Sequence, residues 1–174
     1  MNTTEEIESI LINSNFETLK EALSDYNINS FDSNGNNILH YYLLSIKKIK
    51  IDSKLILDLF ISKGIDINKK QIKGKFQRSP LQIAVFSKLK EIFDYLIELN
   101  ADINSTDADG NNILSTAISR FNFGENGGYF VKSLIDLGAD INQDNNHGIS
   151  GKTWALRYNN GEGPRNYIPV SLLE

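Results

Sequence analysis

Apolar residues recur along this chain at the spacing of one helical face. Ile7, Ile10 and Leu11 lie at positions i, i+3 and i+4, which places them on the same side of a helix. Similar stripes follow at Phe16, Leu19, Ala22 and Leu23, at Leu55, Ile56, Leu59 and Phe60, and at Ile92, Phe93, Tyr95, Leu96 and Leu99. The pattern predicts a series of short amphipathic helices.

Capping residues predict where several of these helices begin. Thr4 is expected to cap the first helix, and Ser14 or Asn15 the second, because short oxygen-bearing side chains accept the free N–H groups of a first turn. Ser79 and Pro80 open another helix, since proline suits the first helical position. Helices are predicted over residues 4–12, 37–46 and 52–63 and from Thr153.

A short polar motif recurs between the helices. Leu99–Asn104 reappears almost unchanged at residues 137–142, in an earlier form at residues 62–68, and as a worn copy at residues 25–29. The last asparagines of the four copies are Asn29, Asn68, Asn104 and Asn142. The steps between them are 39, 36 and 38 residues, and a period of that size predicts a stacked repeat array.

Composition and charge exclude several classes of protein. The 174 residues carry a net charge of −4 and include no cysteine, which rules out disulfides and thiolate metal sites and leaves no overall positive field for nucleic acid. No apolar run approaches the roughly 20 residues that span a bilayer, and the acidic N-terminus differs from a signal peptide. We expect a soluble, cytoplasmic protein that binds neither membrane nor nucleic acid.

Several residues around the recurring motif match a known signature. The matches are Asp32, Gly35, Leu39 and His40 in one unit, Gly74, Ser79, Pro80, Leu81 and Ala84 in the next, Asp107, Gly110, Leu114 and Ala117 in a third, and residues 138–142 at its end. The chain thus resembles the ankyrin repeat family over about residues 30–157. In that family each repeat is a turn, two antiparallel helices and a finger-like loop that reaches the next repeat.

The resemblance implies an all-α ankyrin solenoid of about five helix-turn-helix units, the first and last acting as caps. It implies a single domain over residues 1–174. Its parts are N-terminal capping helices at 1–31, repeats at 32–68, 69–104 and 105–142, and a partial C-terminal repeat and tail at 143–174. Extra residues beyond the usual 33 are expected near 47–53 and 122–129, where residues 123–128 are Gly-rich, and in fingers near 75–77 and 149–151.

Candidate catalytic and metal-binding residues all have simpler interpretations. His40 occupies a position where the family carries a structural histidine bonded to the neighbouring turn, and His147 is expected in an exposed loop. Residues 148–153 resemble the end of a phosphate-binding loop but lack its first glycine and its preceding strand, so a finger followed by a helix cap is preferred. Asp107 begins a sequence that lacks the spacing of a calcium loop. We predict no catalytic residue, cofactor or metal.

A basic finger is the sharpest local feature. Residues 69–78 contain five Lys and Arg in a chain of net negative charge, and Lys73, Lys75, Phe76 and Arg78 are predicted to contact a partner. The alternative is a solvated loop. The family pattern also places Tyr41, Leu44, Phe86 and Arg120 toward a concave groove, where a Phe and an Arg are typical of an interface hot spot; core packing is the alternative for the Leu and the Phe.

The resemblance implies non-enzymatic binding of another protein. The concrete hypothesis is a small bacterial inhibitor or immunity protein, monomeric when free, that neutralises a toxin or effector; it rests on a chain that is nearly all repeat. One alternative is a self-assembling structural protein, because a weak C-terminal cap exposes apolar surface. Another is an enzyme with a carboxylate-based site, which a deep cleft with convergent carboxylates or His40 would favour.

Overall fold

The computed structural model describes residues 2–121 and 128–159, with side chains through residue 157. Within these ranges the regular structure is helical, apart from isolated bridges between Thr106 and Asn112 and between Asp144 and Ser150. The predicted all-α class is confirmed. The chain divides into two compact units, Met1–Pro80 and Leu81–Glu174.

Unit one contains two stacked helix pairs. The helices are α1 (Thr4–Asn13), α2 (Phe16–Ala22), α3 (Ile38–Ser45) and α4 (Ser53–Ser62), and α5 (Pro80–Phe86) begins at the unit's last residue. α1 packs against α2 and α3, and α2 packs against α4. The first helix of one pair therefore lies against the first helix of the next, and the second against the second. This arrangement shares the apolar stripe of each pair with its neighbour.

The core of unit one comes from the predicted stripes, with one correction. Its fully buried side chains include Ile7, Leu11, Leu19, Leu23, Ile38, Leu39, Leu43 and Ile56. Tyr42 and Phe60 meet edge to face, with ring centroids 6.1 Å apart. Leu55 was predicted in the inner stripe but is 46% exposed, whereas Leu57 is buried. Residues two apart on a helix differ by about 200°, so a stripe that includes Leu57 turns Leu55 outward.

Unit two repeats the same plan. It contains α5 from Leu81 onward, followed by α6 (Lys90–Glu98), α7 (Ile113–Ser119), α8 (Tyr129–Asp136) and α9 (Gly151–Asn159). α7 packs against α8 and α9. The Phe93 ring of α6 meets Phe130 of α8 at 5.2 Å and Tyr129 at 6.2 Å, edge to face. First helices again pack on first helices, and second helices on second helices.

The helix caps correct two predicted boundaries. Thr3, and not Thr4, caps α1: its hydroxyl accepts the Glu6 N–H at 3.2 Å, and the Glu6 carboxylate accepts the Thr3 N–H at 2.7 Å. Asn15 caps α2. Ser150 Oγ accepts the Thr153 N–H at 3.1 Å, so α9 begins two residues before the predicted start. The Gly-rich insertion at 123–128, except Gly128, and the tail from residue 160 lie outside the described residues.

Candidate functional site

Short polar side chains build the turns of the fingers, the loops that join one helix pair to the next. Asp32 accepts the Asn36 N–H at 2.7 Å, and Asp107 accepts the Asn111 N–H at 2.9 Å. Asn145 does the same for the N–H of Ile149 at 3.1 Å. In each turn three residues lie between the acceptor and the donor, so the turn of the last finger is no longer than the other two. The extra residues predicted near 149–151 are absent, and that prediction is wrong.

The finger of the third repeat departs from this pattern. Gln71 stands in place of the turn Asp or Asn. Its N–H donates to the Arg78 carbonyl at 3.1 Å, and its side-chain oxygen accepts the Arg78 N–H at 3.1 Å. Six residues, 72–77, lie between these two positions, three more than in the other turns. The extension predicted near residues 75–77 is confirmed, and it belongs to the basic finger (residues 69–78).

The base of the basic finger is fixed to the finger before it. The Ile72 N–H donates to the Gly35 carbonyl at 2.9 Å, and Lys73 Nζ donates to the Ser33 carbonyl at 3.1 Å. Gly35 has φ +83°, and a Cβ at that position would lie 2.5 Å from the Lys73 nitrogen. Glycine is therefore required twice, for the left-handed backbone and for the close approach of the two fingers.

The tip of the basic finger carries a cation–aromatic stack. The Arg78 guanidinium carbon lies 4.2 Å from the Phe76 ring centroid, and Lys75 Nζ lies 5.3 Å from it. Phe76 and Arg78 are half-buried, Lys75 is exposed, and the Ile72 side chain is 51% exposed. Cation–π contacts of this kind favour an arrangement with the guanidinium over the ring, so the finger presents positive charge and apolar area side by side.

The structure groups some predicted contact residues and separates others. Lys75, Phe76 and Arg78 form the stack at the tip, whereas Lys73 directs its ammonium to a backbone carbonyl. On α3, Leu44 is 54% exposed and Tyr41 is half-buried. The core-packing alternative for Leu44 is therefore wrong.

Two further predicted residues meet within unit two. The Arg120 guanidinium carbon lies 4.5 Å from the Phe86 ring centroid. Phe86 is the last residue of α5, and Arg120 directly follows α7. Phe86 is half-buried and Arg120 is exposed, so this pair also presents a flat cationic and aromatic surface.

His40 serves the fold through both ring nitrogens. Nδ1 accepts the Asn37 N–H at 3.0 Å, which makes Nε2 the donor to the Lys69 carbonyl at 2.8 Å. Burial lowers the pKa of His40 to about 4, against the opposing effects of the Lys69 carbonyl and Asp32. The ring is neutral, fully buried and fully bonded, as expected of a structural histidine that ties α3 to the next turn.

A carboxyl pair in unit one, Glu8 and Asp32, was not predicted from the sequence. Burial, together with a hydrogen bond to Asp32 and repulsion from Asp32 and Glu5, raises the pKa of Glu8 to about 7. Asp32 is buried, which alone raises a carboxyl pKa, but hydrogen bonds from Asn36 and Glu8 outweigh burial and lower its pKa. Glu8 is therefore the proton donor of the pair. Sequence spacing carries no signal for it, because the two residues lie 24 positions apart.

The structure also bears on the remaining candidate sites. His147 is exposed, as predicted. Gly148 turns the last finger with φ +69°, and Ser150 caps the helix that follows, which confirms the interpretation preferred over a phosphate loop. Asp107 is occupied by backbone and side-chain N–H groups of its own turn. Across residues 2–121 and 128–159, no group of three or more His, Asp or Glu could hold a metal ion.

No helix in the described part of the chain is long and apolar enough to cross a bilayer.

Comparisons with known proteins agree with this architecture. A model of ankyrin repeats, in three copies, matches residues 49–145. The chain is similar to an ankyrin repeat protein of fowlpox virus (strain NVSL), FPV244, at 27% identity over 126 residues, which is 72% of this chain and 17% of that protein. It is also similar to the ankyrin repeat protein OPG189 of variola virus, at 29% identity over 126 residues, 71% of this chain and 21% of that protein.

The chain therefore spans about a fifth of the length of these curated relatives. The family model covers more than half of the chain. Its matched region includes α4, the basic finger and most of unit two up to the last finger. With the paired helices, the finger turns and the buried histidine in place, this chain belongs to the ankyrin repeat family.

Proposed function

We propose that this chain is a non-enzymatic protein-binding module whose basic finger contacts an acidic surface of the partner. The ankyrin repeat family implies protein–protein interaction and is generally non-enzymatic. The observation that carries the proposal is the stack of Lys75, Phe76 and Arg78 at the tip of a finger that is longer than its neighbours. Insertions in a repeat array lie on loops, often at the binding face.

The geometry of the finger suits recognition. Its base is fixed by backbone bonds to the preceding finger, so little conformational entropy is lost on binding. Aromatic and arginine side chains are enriched among residues that dominate interface energies. Phe76 offers its apolar ring beside the Arg78 charge, and Ile72 adds exposed apolar surface.

Local charge defines the partner's chemistry. Residues 67–80 contain five Lys and Arg and no Asp or Glu. An acidic surface complements this charge and speeds encounter, since long-range attraction raises association rates. A partner surface with carboxylates around an apolar side chain fits the finger best. Phe86 and Arg120 of unit two form a separate proposed contact area. In unit one, Tyr41, Leu44 and Lys73 are proposed as individual contacts.

The experiment is an affinity pull-down from native cells with mass spectrometry, comparing the wild type with Phe76→Ala/Arg78→Glu. We expect one stoichiometric protein to be recovered by the wild type and lost with the double variant. A matched control, Leu137→Ala/Lys132→Glu, also removes an exposed apolar side chain and reverses an exposed charge, and it should retain the partner. Circular dichroism should give the same helix content for all three proteins.

Other outcomes separate the alternatives. Retention of the partner by both variants would mean that the finger is only a solvated loop. Loss of helix content with the Phe76/Arg78 variant would mean that the finger is structural. Sedimentation that depends on concentration, without a partner, would favour the self-assembling alternative over a monomeric binder.

The finer hypothesis of a bacterial immunity protein receives no support from the comparisons. The fowlpox and variola relatives are viral proteins. The hypothesis also drew on a chain that is nearly all repeat, but the chain matches only a fifth of each relative. What supports a toxin or effector as partner is charge complementarity to the finger, and an acidic site on the recovered protein tests it.

The surroundings of His40 argue against a catalytic role for this residue, which the enzyme alternative had named. His40 is buried and both of its ring nitrogens are bonded within the fold, so the ring has no position for a substrate. Asp32 accepts hydrogen bonds from the backbone and side chain of Asn36 in its own turn. Neither arrangement offers convergent groups on an open cleft.

A further inference from the structure

A lysine-rich connector joins α3 to α4 in unit one. It comprises seven residues, 46–52, whereas two residues join α1 to α2 and three join α5 to α6. Ile46–Lys48 form a 3-10 turn, closed by the Ile49 N–H donating to the Ile46 carbonyl at 3.1 Å. Asp52 ends the connector by accepting two N–H groups of the first turn of α4. The added residues are therefore held in a defined conformation.

The connector carries three lysines and one aspartate, so it keeps a net positive charge. Lys47, Lys48 and Lys50 are exposed. Asp52 caps α4 through its carboxylate, and Asp58 pairs with Lys54 at 3.0 Å. The ion pairs Lys54–Asp58, Lys90–Asp94 and Lys132–Asp136 each join residues four apart within one helix, and these three do not involve the connector.

Exposed leucines flank these lysines. Leu44 is 54% exposed near the end of α3, and Leu55 is 46% exposed in the first turn of α4. The ring contact between Tyr42 and Phe60 places the two helices side by side, so both leucines lie at the end of the pair that carries the connector. We call Leu44, Lys47, Lys48, Lys50 and Leu55 the connector patch.

The connector patch is separate from the basic finger. The finger lies at the Asn37 end of α3, where His40 bonds the Lys69 carbonyl, and the connector lies at the Ser45 end. Eight helical residues span about 12 Å, so a contact confined to one end leaves the other open. An ordered insertion with unpaired cations and exposed leucines has no evident role in the fold of unit one.

We propose that the connector patch is a second docking surface, which binds an acidic amphipathic segment of a partner protein. Carboxylates complement the three lysines, and an apolar side chain of the segment covers the leucines. A short protein segment fits better than an extended polyanion or an anionic membrane, because residues 1–32 of the same unit carry seven Asp and Glu against one Lys. Such a surface repels extended negative charge.

The test measures the binding of a synthetic helical peptide of Glu and Leu, labelled with a fluorophore, by fluorescence anisotropy at low salt. Lys47→Glu/Lys48→Glu/Lys50→Glu should raise the Kd at least about tenfold, since each exposed charge contributes modestly. The charge-matched control Lys20→Glu/Lys63→Glu/Lys152→Glu reverses three other exposed lysines and should stay within about twofold of the wild type. Leu44→Ser/Leu55→Ser should also weaken binding.

A finger variant separates this proposal from the proposed function. Phe76→Ala/Arg78→Glu removes the stack of the finger, which can itself attract an acidic peptide, and in this background the triple-lysine reversal at the connector should still raise the Kd at least about tenfold. No further change in that background would assign peptide binding to the finger and overturn the proposal. Equal losses in both triple-lysine variants would indicate only general charge attraction. Equal binding of a peptide with Gln in place of Glu would exclude charge recognition. Connector-dependent binding to phosphatidylserine vesicles without peptide binding would assign the patch to membranes instead. Circular dichroism checks that each variant keeps its helix content.

Discussion

At the scale of single residues, the half-buried Glu8 and the buried His40 of unit one have opposite effects on how stability depends on pH. Glu8 has its pKa raised from 4.5 to about 7, and His40 has its pKa lowered from 6.5 to about 4. A carboxyl with a raised pKa stabilises the fold least at high pH, where it must be charged. A histidine with a lowered pKa stabilises the fold least at low pH. Between about pH 4.5 and 6.5 the two effects offset each other.

Replacing Glu8 should change how the free energy of unfolding depends on pH. Glu8→Gln keeps a hydrogen-bond donor toward Asp32 and removes the charge, so we expect the free energy of unfolding at pH 8 to rise by about 1 kcal/mol, a value reduced for partial solvent screening. Toward acid, the variant should lose stability more steeply than the wild type, because the effect of His40 is no longer offset. Urea titrations from pH 4 to 8 measure both changes, with Glu17→Gln on exposed α2 as the control. Parallel pH profiles for all three proteins would contradict the prediction.

The His40 position can be tested with a residue that the chain itself uses. Gln82 stands at the equivalent helix position of the third repeat, where its amide donates to the Asn111 carbonyl at 3.0 Å and to Thr116 Oγ1 at 2.9 Å. We expect His40→Gln to cost about 1 kcal/mol or less, and His40→Ala about 2–3 kcal/mol because it leaves buried backbone groups unbonded.

The two substitutions at position 40 should also differ from the wild type in pH dependence. Neither side chain titrates, so both variants should lose the His40 effect that opposes Glu8 below pH 6.5, and they should gain stability toward acid relative to the wild type. Thermal unfolding at pH 5 and pH 7 measures this difference. An unchanged gap between the two temperatures in the Gln variant would refute the assignment to His40.

At the scale of elements, the fingers depend on glycines for two distinct reasons. Gly35 and Gly64 both have positive φ, +83° and +79°, and an alanine in that conformation costs about 1 kcal/mol or more. Around Gly64 the space for a Cβ is open, whereas at Gly35 the next finger occupies it. The pair thus separates backbone strain from finger packing.

Gly35→Ala should therefore destabilise unit one more than Gly64→Ala. We expect a difference of about 1–2 kcal/mol, since the Cβ displaces the basic finger and weakens the bond from the Ile72 N–H. Urea midpoints of the two variants give the difference directly. The Gly35 variant should also weaken partner binding, because the base of the finger shifts. Equal midpoints would show that the fingers are not closely packed.

At the scale of the whole molecule, charge is distributed in blocks along the chain. Residues 1–32 carry one Lys against seven Asp and Glu, and residues 33–80 carry ten Lys and Arg against three Asp and Glu. Residues 81–174 carry seven Lys and Arg against twelve Asp and Glu. The modest net charge of −4 therefore conceals a strongly basic middle segment, which contains both the basic finger and the connector.

Added salt should weaken peptide binding much more than it changes the free energy of unfolding. We expect the affinity for the Glu and Leu peptide to fall at least about tenfold between 50 mM and 500 mM salt, because exposed charges are screened. The free energy of unfolding should change by less than about 1 kcal/mol, because the ion pairs of the described helices lie on the surface and such pairs contribute little. A peptide affinity that is insensitive to salt would contradict the charge argument.

The amino-acid sequence by itself determined the architecture. The motif period, the apolar stripes and residues such as Asn15, Pro80 and Gly64 act locally or at fixed spacing, so the helices and their repeat could be predicted. The longer finger and the structural role of His40 followed from the resemblance to ankyrin repeats. Two predictions were wrong because nearby residues can take the same role. Thr3 caps α1 in place of Thr4, and Leu57 is buried in place of Leu55.

Only the tertiary structure decided which side chains meet. Stacking of Arg78 on Phe76 and of Arg120 on Phe86 depends on backbone paths that spacing does not specify. The pairing of Glu8 with Asp32 requires α1 to pack beside a turn 24 residues later. Burial raises the pKa of Glu8, so that Glu8 carries the proton of the pair. Exposure of Leu44 and Leu55 beside unpaired lysines likewise depends on how α3 and α4 pack. Long-range packing and desolvation set these features, and neither is encoded in a local pattern.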